Sequence, residues 1–258
     1  MNTWNDNQLS GFQTAVQAEN ELTLQRYVAG VMRKVYGKMT LGLLLTALTS
    51  FLVMSSPAAM GLLFSSTSTI WILFAIELGL VIYLSTRVDK MSTLTAAAMF
   101  YIYSALNGVA LTPIFLAYTG VSIVKTFVIT SVTFGSMCLF GYLTRQDLSK
   151  IGSFLFMGLI GIIVCSLVNL FFIRSSMMEL CISIAGVLIF VGLSAWDTQA
   201  IKRMCAESDP SMIGKVATMG ALTLYLDFII TLSLRHSDFW GLRLTGFPYF
   251  LQRELNTE

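Results

Sequence analysis

Residues 151–173, IGSFLFMGLIGIIVCSLVNLFFI, run for 23 positions without a charged side chain. A helix crosses the ~30 Å hydrocarbon core of a bilayer with about 20 mostly apolar residues. Working outward, comparable runs cover approximately 39–56, 69–86, 94–118 and 123–143 before it, and 178–200 and 216–234 after it. The breaks hold polar and turn-forming residues: Ser55-Ser56-Pro57, Arg87-Val88-Asp89-Lys90, Thr144 to Lys150, and Glu207-Ser208-Asp209-Pro210. The expectation is an all-α integral membrane protein, a bundle of seven transmembrane helices. Its plan would be an amino-terminal tail (1–35), a membrane domain (36–236) and a carboxyl-terminal tail (237–258). Glu77 interrupts the second run and Asp227 the seventh, so a re-entrant seventh segment is the alternative topology.

Composition leads to the same class. The chain is 55% hydrophobic and only 12% charged, with a mean hydropathy of +0.75. A soluble domain carries about 25% charged residues to cover its surface, whereas lipid tails solvate an apolar exterior. A net charge of +2 gives no polyanion-binding character, so no nucleic acid is expected as a partner. Cys138, Cys165, Cys181 and Cys205 show no metal-ligand spacing and read as small buried hydrophobes. His236, at the end of the last run, is the only histidine, which excludes a histidine-based metal site. Residues 1–26 are polar and mixed in charge, without the apolar core of a signal peptide. They read as a loosely ordered cytosolic tail.

Lys and Arg concentrate on the cytosolic side of membrane proteins. Arg26, Arg33, Lys34, Lys38, Arg87, Lys90, Arg145, Lys150, Lys202, Arg203 and Lys215 fall on one side of a seven-span plan, eleven in all. Lys125, Arg174, Arg235, Arg243 and Arg253 fall on the other, which is five. The amino terminus is therefore expected in the cytosol. Ser104 with Gly108, and Gly158 with Gly161, suggest close helix contacts through small residues.

Three acids lie within apolar runs: Glu77, Asp197 and Asp227. An ionisable residue at membrane depth costs at least ~2.5–3.5 kcal/mol on insertion scales. No Lys or Arg lies deep enough to be an obvious counter-ion, although Arg87, Lys202 and Arg203 near span ends have the length to reach inward. Uncompensated acids bind cations, stay protonated or share protons. Two carboxyls a few Å apart cannot both ionise cheaply, and their oxygens are hard ligands that suit Ca²⁺. If span six ends at Arg203, Asp197 lies ~9 Å deep; if span seven starts near Met219, Asp227 lies ~12 Å deep. That arithmetic permits contact between them, while a start at Lys215 puts Asp227 ~18 Å deep and out of level. Bland roles remain open: an interfacial Asp197 bonded to backbone, a snorkelling Glu77, and Asn107 and Asn169 as interhelical hydrogen-bonders.

At these residues the chain resembles the Bax-inhibitor (transmembrane Bax inhibitor motif) family, particularly its bacterial members. GALTLYLDFI (Gly220–Ile229) is similar to the family's seventh-helix signature, and FVGLSAWDTQ (Phe190–Gln199) to the end of its sixth helix. VYGKMTLGLLLTA (Val35–Ala47), YSALNG (Tyr103–Gly108), FGYLTRQDLS (Phe140–Ser149) and GLIGIIVCSLVN (Gly158–Asn169) extend the likeness over all but the two tails. Trp196-Asp197 stands where the family more often has Tyr-Asp, and Ile230-Thr231 follows LYLDFI where an Asn is usual.

The resemblance implies a bundle with the seventh helix central and a pH-sensitive calcium leak in a bacterial inner membrane. By motif it assigns Asp197 and Asp227 as a proton-sharing latch and as the pair that meets the metal ion. It adds Glu77, and Arg87 at the end of the second helix, as secondary candidates. No cofactor is expected, and Ca²⁺ would be the transported ion. A second reading is a stress or proteostasis regulator that binds another membrane protein, such as a membrane protease, through the amino-terminal tail. An intramembrane aspartyl protease is disfavoured because the Gly-x-Gly-Asp partner motif is absent, and HExxH is absent too. No enzyme is expected.

Overall fold

Backbone N–H and C=O groups have no water to bond in hydrocarbon, so long apolar segments satisfy them internally as helices. The computed structural model describes residues 3–64, 66–117 and 120–240, and every long element among them is a helix. In chain order these are α1 (Thr3–Met54), α2 (Pro57–Phe64), α3 (Thr67–Arg87), α4 (Thr93–Ala117), α5 (Gly120–Leu143), α6 (Ser149–Val168), α7 (Ser176–Glu207) and α8 (Ile213–Trp240). Short 3₁₀ turns at Val88–Lys90 and Pro210–Met212 precede α4 and α8. Eight α-helices are thus described where seven runs were expected. The additional one, α2, starts on Pro57 and fills the link between the first two runs, since proline is favoured at a first helical position.

Six helices are long and apolar enough to cross a membrane among the described residues: α1, α4, α5, α6 with its extension, α7 and α8. Their outward side chains are apolar, with Leu94, Phe154 and Phe172 among the most exposed. In α8, 61% of the apolar stretch is buried, against 6% to 33% in the other five. It packs on α7, α1, α4 and α5. Two aromatic collars fix it there. Tyr225 meets Phe100 and Tyr103 of α4 edge-on at 5.7 and 5.9 Å, and Phe228 meets Phe127 and Phe134 of α5 at 5.6 and 5.4 Å.

The first helix begins well before the first apolar run. α1 continues unbroken through residue 35, and Val28, Val31, Met32 and Val35 are buried in the core. Their i, i+3, i+4, i+7 spacing makes one apolar stripe, which packs on the bundle although the segment is too polar to read as a membrane run. The carboxyl-terminal tail from residue 241, with Phe247, Tyr249 and Phe250, lies outside the described residues. Cys138 and Cys205 are buried as expected, but Cys165 and Cys181 lie on the exposed faces of α6 and α7.

Of the close-contact glycines, Gly108 lies where α1 and α4 touch, and an added Cβ would fall on Thr49 Oγ1 and the Thr46 carbonyl. Gly158 faces Ile189, but Gly161 faces open space. Asn169 works differently from an interhelical bonder. α6 ends in a π turn (Asn169–Ile173), Arg174 takes a left-handed φ of 51°, and the Asn169 side chain closes the turn. Its Oδ1 accepts from the Ser175 N–H at 3.0 Å and its Nδ2 donates to the Ser175 carbonyl at 3.3 Å. Asn169→Leu should therefore destabilise the protein by about 1–3 kcal/mol, the cost of leaving a half-buried backbone turn unpaired. Thermal unfolding in detergent reads this, and an unchanged midpoint would show that the turn needs no side-chain clasp.

Candidate functional site

Asp197 sits on α7 and Asp227 on α8, the two helices that share the most extensive interface. Asp227 is 6% exposed and Asp197 half-buried. Their carboxyls are in hydrogen-bond contact. No backbone or hydroxyl donor reaches Asp227 Oδ2. Around them lie Thr198, which bonds the Ser194 carbonyl at 2.8 Å, and the side chains of Tyr36 and Cys138, both hydrogen-bonded to Thr198. None of these neighbours carries a positive charge.

The basic residues near span ends turn elsewhere. Lys202 donates to the Tyr142 carbonyl at 3.0 Å and lies 5.1 Å above the Tyr142 ring. Arg203 pairs with Asp147 at 3.1 Å and donates to Ser149 Oγ at 2.9 Å. Lys38 bonds the Gly214 carbonyl and Thr218 Oγ1 at the start of α8, roughly 14 Å along that helix from Asp227. Arg87 is exposed at the end of α3 and makes no ion pair with either aspartate. Neither Lys202, Arg203 nor Arg87 is the counter-ion their positions allowed.

Glu77 is also buried, at 8% exposure, between the lipid-facing Ile76 and Leu78. It does not join the aspartates. It lies near the phenols of Tyr103 and Tyr225, and Tyr225 and Asp227, two residues apart on a 3.6-residue helix, project from opposite faces of α8. A polar seam runs on the Glu77 side. The Tyr225 hydroxyl is 2.6 Å from Thr46 Oγ1, which is 2.8 Å from the Ser104 carbonyl, and Asn107 Nδ2 donates to the Tyr103 hydroxyl at 3.2 Å. Glu77 Oε1 and Asn107 Oδ1 are buried without a partner. Among the described residues no group of three or more His, Cys, Asp or Glu side chains could hold a metal ion, so the aspartates offer two carboxylates and no closed cage.

Gln199 was not singled out from the sequence, yet it clamps the loop between α5 and α6. Its Oε1 accepts from the Leu148 N–H at 2.9 Å and its Nε2 donates to the Gln146 carbonyl at 2.7 Å, two residues beyond Asp197. A polar residue inside a helical run next to an acid was the available signal. In the same loop Asp147 is held below the usual carboxylate range, first by the Ser149 hydroxyl and backbone N–H and then by Arg203. A depressed acid contributes stability above its unfolded value and loses it as pH falls through its folded one. Asp147→Asn should therefore match wild-type thermal stability only once pH drops below the ordinary carboxylate range, and should leave any pH response near neutrality unchanged. A shifted neutral-pH response in this variant would make the loop, and not the buried pair, the sensor.

A family model described as Inhibitor of apoptosis-promoting Bax1 matches residues 28–234. The chain belongs to the Bax inhibitor family. The match starts at Val28, the first buried residue of the α1 stripe, and ends at Leu234 in α8. Inner membrane protein YbhL of Escherichia coli (strain K12) is 46% identical over 209 residues, which is 80% of this chain and 87% of that protein. Proteins of Borreliella burgdorferi (44% over 200 residues; 77% of this chain, 86% of that protein) and Rickettsia prowazekii (44% over 207; 80% and 85%) are similar to it as well. With its helices long enough to span, this member of the family is a membrane protein in contact with the lipid bilayer.

Proposed function

We propose that this chain is a passive, proton-gated cation pathway with Ca²⁺ as the conducted ion. The observation that carries it is the contact between Asp197 and Asp227, buried inside a membrane bundle with no cationic partner. Protonated, the pair stays together and the path is shut. As pH rises the second proton leaves, and two like charges at 4 Å repel by about 4 kcal/mol at an effective dielectric of ~20. The carboxylates part, and their oxygens become available to a hard divalent ion. Ca²⁺ takes 6–8 oxygen ligands in a tight site. Two carboxylates supply fewer, and loose binding is what passage requires.

In this reading α1 and α3 to α8 give seven crossings, the 21 residues of α3 being long enough for one. The basic bias puts the amino terminus in the cytosol. Similarity to an inner membrane protein supports a bacterial inner membrane. Glu77 is a second station on the other face of α8, the latch rests on the aspartates without Arg87, and the chain is a conduit with no catalytic reaction. Purified protein in liposomes, loaded with a Ca²⁺ dye and assayed from about pH 6 to 8, should show flux that increases with pH. Flux no greater than that of empty liposomes, with folded protein verified, would remove the channel reading and leave binding of another membrane protein as the activity to seek.

A further inference from the structure

α1 and α5 both pack on α7, and α8 lies behind them, but they scarcely pack on each other. The gap is an open groove of about 660 Å³, lined by Met32, Tyr36 and Leu43 of α1, by Phe134 and Gly135 of α5, and floored by Phe228 of α8. That volume lies within the ~300–1,000 Å³ of pockets that take a small molecule. The lining runs from Ala29 to Leu43 on α1, 14 residues or ~21 Å along the axis. Half of the hydrocarbon core is ~15 Å thick, so a groove of this length has room for much of an acyl chain. Its wall is mainly apolar, with Met32, Met39, Phe127, Phe134 and Phe228 along it and Thr40 and Ser131 among them. A Cβ on Gly135 would meet nothing within 4 Å, so the space over α5 is free of the described residues.

One end of the groove carries a charge. Arg33 lines it beside Ala29 and Met32, on the exposed side of α1, with Tyr142 of α5 at the same end. The arginine makes none of the ion pairs recorded among the described residues. A guanidinium with a tyrosine beside it suits a phosphate, and a long apolar trough running on from it suits an acyl chain.

We propose that the α1–α5 groove binds one anionic phospholipid from the leaflet on the amino-terminal side, its phosphate on Arg33 and one acyl chain over Phe134, Gly135 and Phe228. Phe228 adjoins Asp227, and Cys138 on the groove wall shares Thr198 with Tyr36. The chain would therefore seal the lipid-facing side of the aspartate pair. The site stands on the groove alone and does not depend on the conduction reading.

The full-length protein in mild detergent is incubated with equal amounts of phosphatidylglycerol and phosphatidylcholine, and retained lipid is counted by native mass spectrometry. Wild type should keep one phosphatidylglycerol in preference to phosphatidylcholine. Arg33→Ala should lower that preference about fivefold, the weight of one basic residue at an anionic surface. Gly135→Leu, which fills the trough, should lose the retained lipid of both kinds. Val132→Trp, on the open lipid face of α5, should behave as wild type. Retention by Gly135→Leu at the wild-type level, with its thermal transition intact, overturns the groove as the site. If that variant fails to fold, Arg33→Ala decides: an unchanged preference overturns the assignment. Equal retention of the two lipids by wild type, or retention of neither, overturns it also.

Discussion

Asp227→Asn should abolish the rise of Ca²⁺ flux with pH, leaving flux near pH 8 about tenfold or more below wild type, while flux near pH 6 changes little. The amide is close in shape to a protonated carboxyl and donates a hydrogen bond to Asp197, so the pair stays closed at every pH. No second ionisation then remains to drive α7 and α8 apart. Asp197→Asn should act in the same direction, since the repulsion needs both charges. Asp227→Ala differs: it removes the contact as well as the charge, so its flux should be insensitive to pH but not low. If Asp227→Asn keeps a wild-type pH response, the buried pair is not the sensor and Glu77 becomes the next acid to test.

The second large effect concerns helix spacing. Gly141→Ala and Gly108→Ala should each destabilise the protein by about 1–3 kcal/mol or more, the range for overpacking a well-filled interior. At Gly141 the new methyl would lie on the Ala195 backbone where α5 crosses α7, and at Gly108 on the Thr46 carbonyl of α1. Both obstacles are backbone and cannot rotate away. Gly161→Ala is the control: its Cβ meets nothing, and replacing a mid-helix glycine by alanine favours the helix by up to ~1 kcal/mol. Thermal unfolding of the three variants in one detergent separates them. Equal midpoints for all three would mean that α1–α4 and α5–α7 do not approach as closely as described.

Gly141 acts on the site as well as on stability. Ala195 is two residues before Asp197, so a displaced α5–α7 crossing moves the aspartate relative to α8. Flux measured beside stability would show whether helix spacing and latch geometry change together.

Much of the fold was legible because hydrocarbon imposes a long, one-dimensional signal. The run at 151–173 needs no partner to be recognised, and neither do the other apolar runs. The stripe of Val28, Val31, Met32 and Val35 was equally present in the sequence, but it repeats every 3.6 residues among charged neighbours. Counting apolar runs passes over such a pattern. For the same reason α1 proved longer than its membrane run. Gly158 and Gly161 illustrate the opposite limit: identical residues three apart, of which one faces a neighbour and the other faces none.

The sequence by itself determined the class of molecule, its long apolar runs, the family to which it belongs, and the isolation of three acids among apolar residues, because each of these is set by local composition and by the order of motifs along the chain. Only the tertiary structure decided how the acids are distributed: Asp197 against Asp227, and Glu77 apart from them across α8. It also decided that Lys202 and Arg203 face the α5–α6 loop, and that Gln199 holds that loop by two backbone bonds. These depend on the rotation of each helix about its axis and on its depth relative to its neighbours. A shift of one residue turns a side chain by about 100°, and what fixes that angle is packing between residues far apart in the chain.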